Sequence, residues 1–147
     1  MATFARSADV EWNGNLMEGK GTATAGTRAF SLPVTFPSRI AEKDGGTTTP
    51  EEFMAAAHAV CYAMVLTNTI TKQGGKVSKV RVTATVTADL SDAGIKVVSS
   101  KLQAVVEGLE GIDKAKIPEL ATGAEKGCPI SNAIRGSVAI SVDAVAR

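Results

Sequence analysis

Two cysteines and one histidine hold most of the reactive capacity of this chain. Cys61 lies within Thr47 to Leu66, TTTPEEFMAAAHAVCYAMVL, where a helix start leads into a nearly unbroken apolar run. Cys128 stands 67 positions later, directly before Pro129-Ile130-Ser131. A thiolate is a nucleophile, but a free thiol in apolar company also behaves as a small buried hydrophobe. Local physics favours Cys128 as the reactive sulfur, because Pro129 marks a helix start and a helix N-terminus favours thiolate. Cys61, mid-helix among apolar residues, should have a raised pKa.

His58 precedes Cys61 by three residues, on a neighbouring helix face. A Cys–His couple at that spacing could be a catalytic pair. A single histidine in an apolar helix more often bonds a buried partner, and the structural reading is preferred. Glu51 raises a similar question. Glu52 closes a capping box with Thr49, whereas Glu51 has no duty that the pattern demands beyond a favourable place near the helix dipole. Its functional alternative is to orient a cation at a reactive site. Ten residues put Glu51 about 15 Å from Cys61 along the axis, too far for a Glu side chain. If both serve one site, they come from two chains with facing, antiparallel helices.

Other chemistries fit poorly. Two distant cysteines and one histidine match neither a disulfide scaffold nor a zinc site, so no metal is expected. Cys128-Pro129-Ile130-Ser131 has the C-P-x-S look of a glutaredoxin-like site. Thioredoxin-like folds place that motif near their start, however, and only 19 residues follow Cys128 here. The formal net charge is +1, with no block of like charges. Nucleic acid and anionic membranes both need a concentrated basic surface, so neither is expected as a partner.

The elements that must position these residues read as one α+β domain over 1–147. Asp9 to Trp12, Gly19 to Ala25 and Ala29 to Phe36 are strand candidates, the third an edge strand or irregular because of Pro33 and Pro37. A loop, SRIAEKDGGTT, follows. The capped helix runs from Pro50 to about Thr71, ending before Gly74-Gly75. Val77 to Leu90 alternates strictly as a half-buried strand and turns at Asp92-Ala93-Gly94 into Ile95 to Gly108. A helix over Asp113 to Lys126, a short one from Cys128-Pro129 to Ile134, and a strand over Ser137 to Val145 complete a mostly antiparallel arrangement.

The long helix is apolar on every side from Phe53 to Leu66 except at His58. Those 14 residues fall short of the roughly 20 that span a bilayer, so the pattern predicts a buried helix and no membrane partner. One small domain has difficulty covering a helix of about 33 Å on every face, and a second subunit would do so; a homodimer is expected. The N-terminus, MATFARSADVEWNG, lacks the apolar core of a secretory signal, and a cytoplasmic location is expected.

Taken in order, several short pieces resemble the OsmC/Ohr family of thiol-dependent hydroperoxide reductases. They are Trp12-Asn13-Gly14, Gly19-Lys20-Gly21, Arg39, Thr49-Pro50-Glu51-Glu52-Phe53, Ala56-Ala57-His58-Ala59-Val60-Cys61 and Cys128-Pro129-Ile130-Ser131-Asn132-Ala133. The His58 motif, with an arginine shortly before the helix, is similar to the OsmC branch. Thr47-Thr48-Thr49-Pro50 departs from the family's usual Gly-Thr-Asn-Pro, though Thr caps a helix as Asn does.

The resemblance implies an OsmC-like fold, with antiparallel sheets packed around a long central helix in an intertwined homodimer. It implies Cys61 as the peroxidatic thiolate, Cys128 as the resolving thiol, and Arg39 with Glu51 as the activating pair, reversing the ranking that local physics gives the two thiols. It further implies organic hydroperoxide substrates, no bound cofactor, and an external dithiol reductant. The alternative is a non-catalytic dimeric binding module for an apolar ligand, with structural cysteines.

Overall fold

The computed structural model describes residues 1–147, which divide into two compact units, Met1–Pro50 and Glu51–Arg147.

The first unit is a three-stranded antiparallel sheet in the order β1 (Ala8–Asn13), β2 (Lys20–Ala25), β3 (Ser31–Val34). Pro33 lies on β3, an edge strand, where a missing N–H is tolerated. Trp12 is paired with Gly21, and its indole lies across Gly19 and Gly21. A Cβ on Gly19 would fall 2.9 Å from the indole nitrogen, and one on Gly21 would fall 2.7 Å from the ring. The two glycines therefore leave room for the tryptophan. Few side chains in this unit are covered: Gly19, Gly21 and Ala23 are buried, while Val10, Leu16 and Met17 are exposed.

One element was not anticipated. The segment read as loop opens with a short helix, α1 (Phe36–Arg39), capped by Thr35, whose hydroxyl oxygen accepts from the Ser38 N–H at 3.3 Å. Pro37 sits in its first turn. Thr35-Phe36-Pro37 carries the signal for this helix, a capping hydroxyl followed by a proline within the first turn.

The second unit is built on α2 (Pro50–Lys72), with sheet order β4 (Lys79–Ser91), β5 (Gly94–Glu107), β6 (Ala139–Ala146). α2 stops in a double-glycine cap: Gly75 N–H donates to Ile70 C=O and Gly74 N–H to Thr71 C=O, with Gly74 at φ 84°. That left-handed turn suits glycine and satisfies carbonyls the helix would otherwise leave open. β4 and β5 form the expected antiparallel hairpin, with an irregularity at Thr87/Ala88. β6 pairs with β5 in parallel. A parallel neighbour needs a long crossover, here the single turn of 3-10 helix Lys114–Lys116 followed by α3 (Ile117–Gly127) and α4 (Pro129–Ile134).

α2 buries one stripe, His58, Tyr62, Leu66 and Ile70, spaced every four residues. Its apolar members pack with Leu102, Ala104 and Val106 of β5, Ala144 of β6, and Ile117, Ala121 and Ala124 of α3 in one core. The Tyr62 hydroxyl donates to Ala121 C=O at 2.9 Å, so the buried ring keeps its polar end satisfied. By length and composition α2 would also suit a bilayer. Its fully buried stripe and the polar bonds made by His58 and Tyr62 make it the core helix of this unit.

The Leu66→Ala variant should lose about 2–5 kcal/mol of unfolding free energy by denaturant titration, since Leu66 is wholly enclosed by this core.

Candidate active site

Cys61 sits beside the buried stripe of α2, one residue before Tyr62, and is half-buried. Cys128 is fully buried at the junction of two helices, closing α3 and opening α4. Its backbone N–H donates to Glu125 C=O at 3.1 Å, and its φ of −77° and ψ of 117° turn the chain sharply into Pro129. Both cysteines are free thiols.

The fold brings the two sulfurs together. The Cys61 and Cys128 thiols lie close enough to influence each other's protonation, and the Ile130 backbone amide lies close enough to Cys61 to favour its thiolate. Burial is the largest influence on Cys61 and pushes its pKa above the usual thiol range. The Ile130 N–H opposes that by favouring thiolate, and the adjacent Cys128 thiol adds to the rise. That amide lies in the first turn of α4, the helix that Cys128 opens.

Behind the cysteines lies a buried polar relay. His58 Nδ1 is 2.7 Å from Ser100 Oγ on β5, and Nε2 is 2.8 Å from Ser131 Oγ on α4. All three residues are fully buried. A neutral imidazole fits this setting, one N–H donating to a hydroxyl and the other nitrogen accepting from one. Burial lowers the His58 pKa, with nearby Glu125 opposing the shift. Glu125 is itself buried and ion-paired with Arg135 just after α4. Ser100, Ser131, Glu125 and Arg135 were not singled out from sequence. Ser131 lies inside the Cys128-Pro129-Ile130-Ser131 motif, whereas nothing local marks Ser100.

Arg39 is the last residue of α1, in the first unit, and is half-buried. Glu51 is in the first turn of α2 and is also half-buried. No group of three or more His, Cys, Asp or Glu side chains is arranged to hold a metal ion.

The His58 shift has a consequence for stability. Folded His58 stays neutral where the unfolded chain takes up a proton, so stability present above about pH 6.5 is lost as pH falls through the lowered folded value. The wild-type Tm should fall as pH drops from about 7 to about 5. His58→Gln, though less stable at pH 7, should lack that component of the slope.

Comparison with known proteins gives a consistent family. A family model for OsmC-like proteins matches residues 43–143. The peroxiredoxin OsmC of Escherichia coli strain K12 is 29% identical over 139 residues, covering 94% of this chain and 95% of that protein. The organic hydroperoxide resistance protein OhrB of Bacillus subtilis strain 168 is 28% identical over 125 residues, covering 84% and 88%. Among solved structures, the organic hydroperoxide resistance protein OsmC of Legionella pneumophila superposes with a TM-score of 0.76 at 24% identity, over 99% of each chain. The Elizabethkingia anophelis organic hydroperoxide resistance protein gives 0.77 at 21%, over the whole of both chains. At those identities the structural likeness shows the fold. The family model spans more than half of the sequence, and the chain belongs to the OsmC-like protein family.

Proposed function

We propose that this protein is a thiol-dependent peroxidase that reduces organic hydroperoxides to alcohols, with Cys61 as the attacking thiolate and Cys128 as the resolving thiol. The observation that carries the reading is the proximity of two thiols 67 positions apart, Cys128 in the core and Cys61 packed against it. Relatives named as a peroxiredoxin and as organic hydroperoxide resistance proteins support it.

The Cys61 sulfur forms a bond to one peroxide oxygen as the O–O bond breaks. The departing alkoxide takes a proton and leaves as alcohol, and Cys61 becomes a sulfenic acid. The Cys128 sulfur then attacks Cys61, the S–O bond breaks, and hydroxide departs as water with the Cys128 proton. An external dithiol reduces the resulting disulfide through two exchange steps and is itself oxidised. No bound cofactor enters this cycle.

The Ile130 N–H is too modest an influence to overcome burial at Cys61, since the net shift is upward. In this reading a cation draws Cys61 toward thiolate, and a guanidinium held by a carboxylate supplies one. On the family pattern, Arg39 and Glu51 take that role. Apolar surroundings favour substrates with a hydrocarbon body, because each buried CH₂ contributes about 0.8 kcal/mol that hydrogen peroxide cannot gain. Two free thiols suit a reducing compartment, in keeping with a cytoplasmic protein.

The working form in this reading is a homodimer. On α2, Val60 is 56% and Met64 68% exposed, and the first unit leaves Val10, Leu16 and Met17 exposed. Apolar surface on this scale calls for a partner, and a second copy is the simplest.

One equivalent of cumene hydroperoxide should consume both thiols of each chain. Cys61→Ser should abolish turnover, and Cys128→Ser should complete one reduction and stop with Cys61 oxidised. Thiols that stay unreactive would overturn the reading in favour of a dimeric binding module with structural cysteines. Sedimentation should give twice the 15.1 kDa chain mass, shifting toward monomer in Met64→Glu. A monomeric wild type would remove the dimer from the proposal.

A further inference from the structure

Resting on that reading, we infer that His58 is a positioning residue for disulfide formation: through Ser131 it holds α4 so that Cys128 and the Ile130 N–H stay together on the Cys61 sulfur.

α4 is only six residues long, and its hydrogen bonds fall into two sets. One set runs to α3: Cys128 N–H to Glu125 C=O, Asn132 Nδ2 to Lys126 C=O at 3.1 Å, and the Arg135 guanidinium to the Glu125 carboxylate. These bonds tie α4 to α3, which meets α2 through core packing and the Tyr62–Ala121 bond, but none of them runs from α4 to α2. The bond from His58 Nε2 to Ser131 runs to α2 itself. It is made three residues from Cys61 on α2 and three from Cys128 on α4, about one helical turn from the sulfurs on both sides. His58 is in turn anchored on β5 by Ser100. The imidazole, carried on the core helix α2, thus holds the short helix that leads from the resolving thiol, while Ser100 satisfies its other nitrogen.

The reaction makes a specific demand on this bond. In the reduced protein the two thiols are neighbours, and the disulfide requires about 2.05 Å between their sulfurs. Bond formation competes with a second peroxide attack that would carry Cys61 to sulfinic acid. Which path wins depends on how often Cys128 faces the sulfenic sulfur, and so on how firmly α4 is held. A shift of α4 would withdraw the thiol and the Ile130 N–H together. The histidine touches neither sulfur nor substrate; it acts through Ser131.

Ser131→Ala and Ser100→Ala each remove one hydroxyl from the same imidazole, but only the first releases α4. Each variant receives a tenfold excess of cumene hydroperoxide, and mass spectrometry measures Cys61–Cys128 disulfide against Cys61 sulfinic acid. The disulfide-to-sulfinic ratio should fall on the order of tenfold in Ser131→Ala and stay near wild type in Ser100→Ala. Replacing His58 by Leu and both serines by Ala removes the unpaired buried groups that could unfold a single variant, and this triple variant should still show the low ratio. An unchanged ratio in Ser131→Ala, or an equal fall in Ser100→Ala, overturns the inference while leaving the peroxidase intact. A wild type that forms no disulfide overturns the peroxidase reading and this inference with it.

Discussion

Everything at this site depends on the close approach of α2 and α4. Two sulfurs far apart in sequence meet because a long helix buries one stripe against a sheet and a six-residue helix ends the crossover that covers it. Tyr62, Leu66 and Ile70 anchor α2 in the core, which leaves Cys61 at the margin of that stripe, half-enclosed. Cys128 stands where α3 gives way to α4, near enough to Cys61 to affect its protonation. Hydrophobic packing supplies the position of both thiols.

Burial and reactivity oppose each other at Cys61. Enclosure raises the thiol pKa, and the Ile130 amide opposes that rise. Across the same helix the balance differs. His58, wholly buried, meets two hydroxyls and stays neutral, so the core contains a polar group without a charge to solvate.

Much of this was legible in the sequence, for identifiable reasons. The capped start at Thr49-Pro50, the Gly74-Gly75 stop and the two-residue alternation from Val80 onward are local signals, and they place α2 and the β4–β5 hairpin closely. The short helix ending at Arg39 was missed because a four-residue helix has no periodicity; its only trace is Thr35-Phe36-Pro37. The parallel pairing of β6 with β5 has no local signature, since strand direction is decided by the crossover between them. For the site, the cysteines stood out by rarity and His58 by isolation in an apolar run. Ser100 did not, because a serine in a strand looks solvent-facing until the fold turns it inward beneath an imidazole.

The chain has one tryptophan and one tyrosine, and the fold assigns them to different units. Trp12 lies over two glycines in the three-stranded sheet, and Tyr62 is sealed in the core of the second unit with its hydroxyl bonded to a carbonyl. The molecule therefore carries a separate optical reporter in each unit. Indole emission follows the loosening of the amino-terminal sheet, and near-ultraviolet dichroism of the single phenol follows the melting of the interior around α2, without any added label.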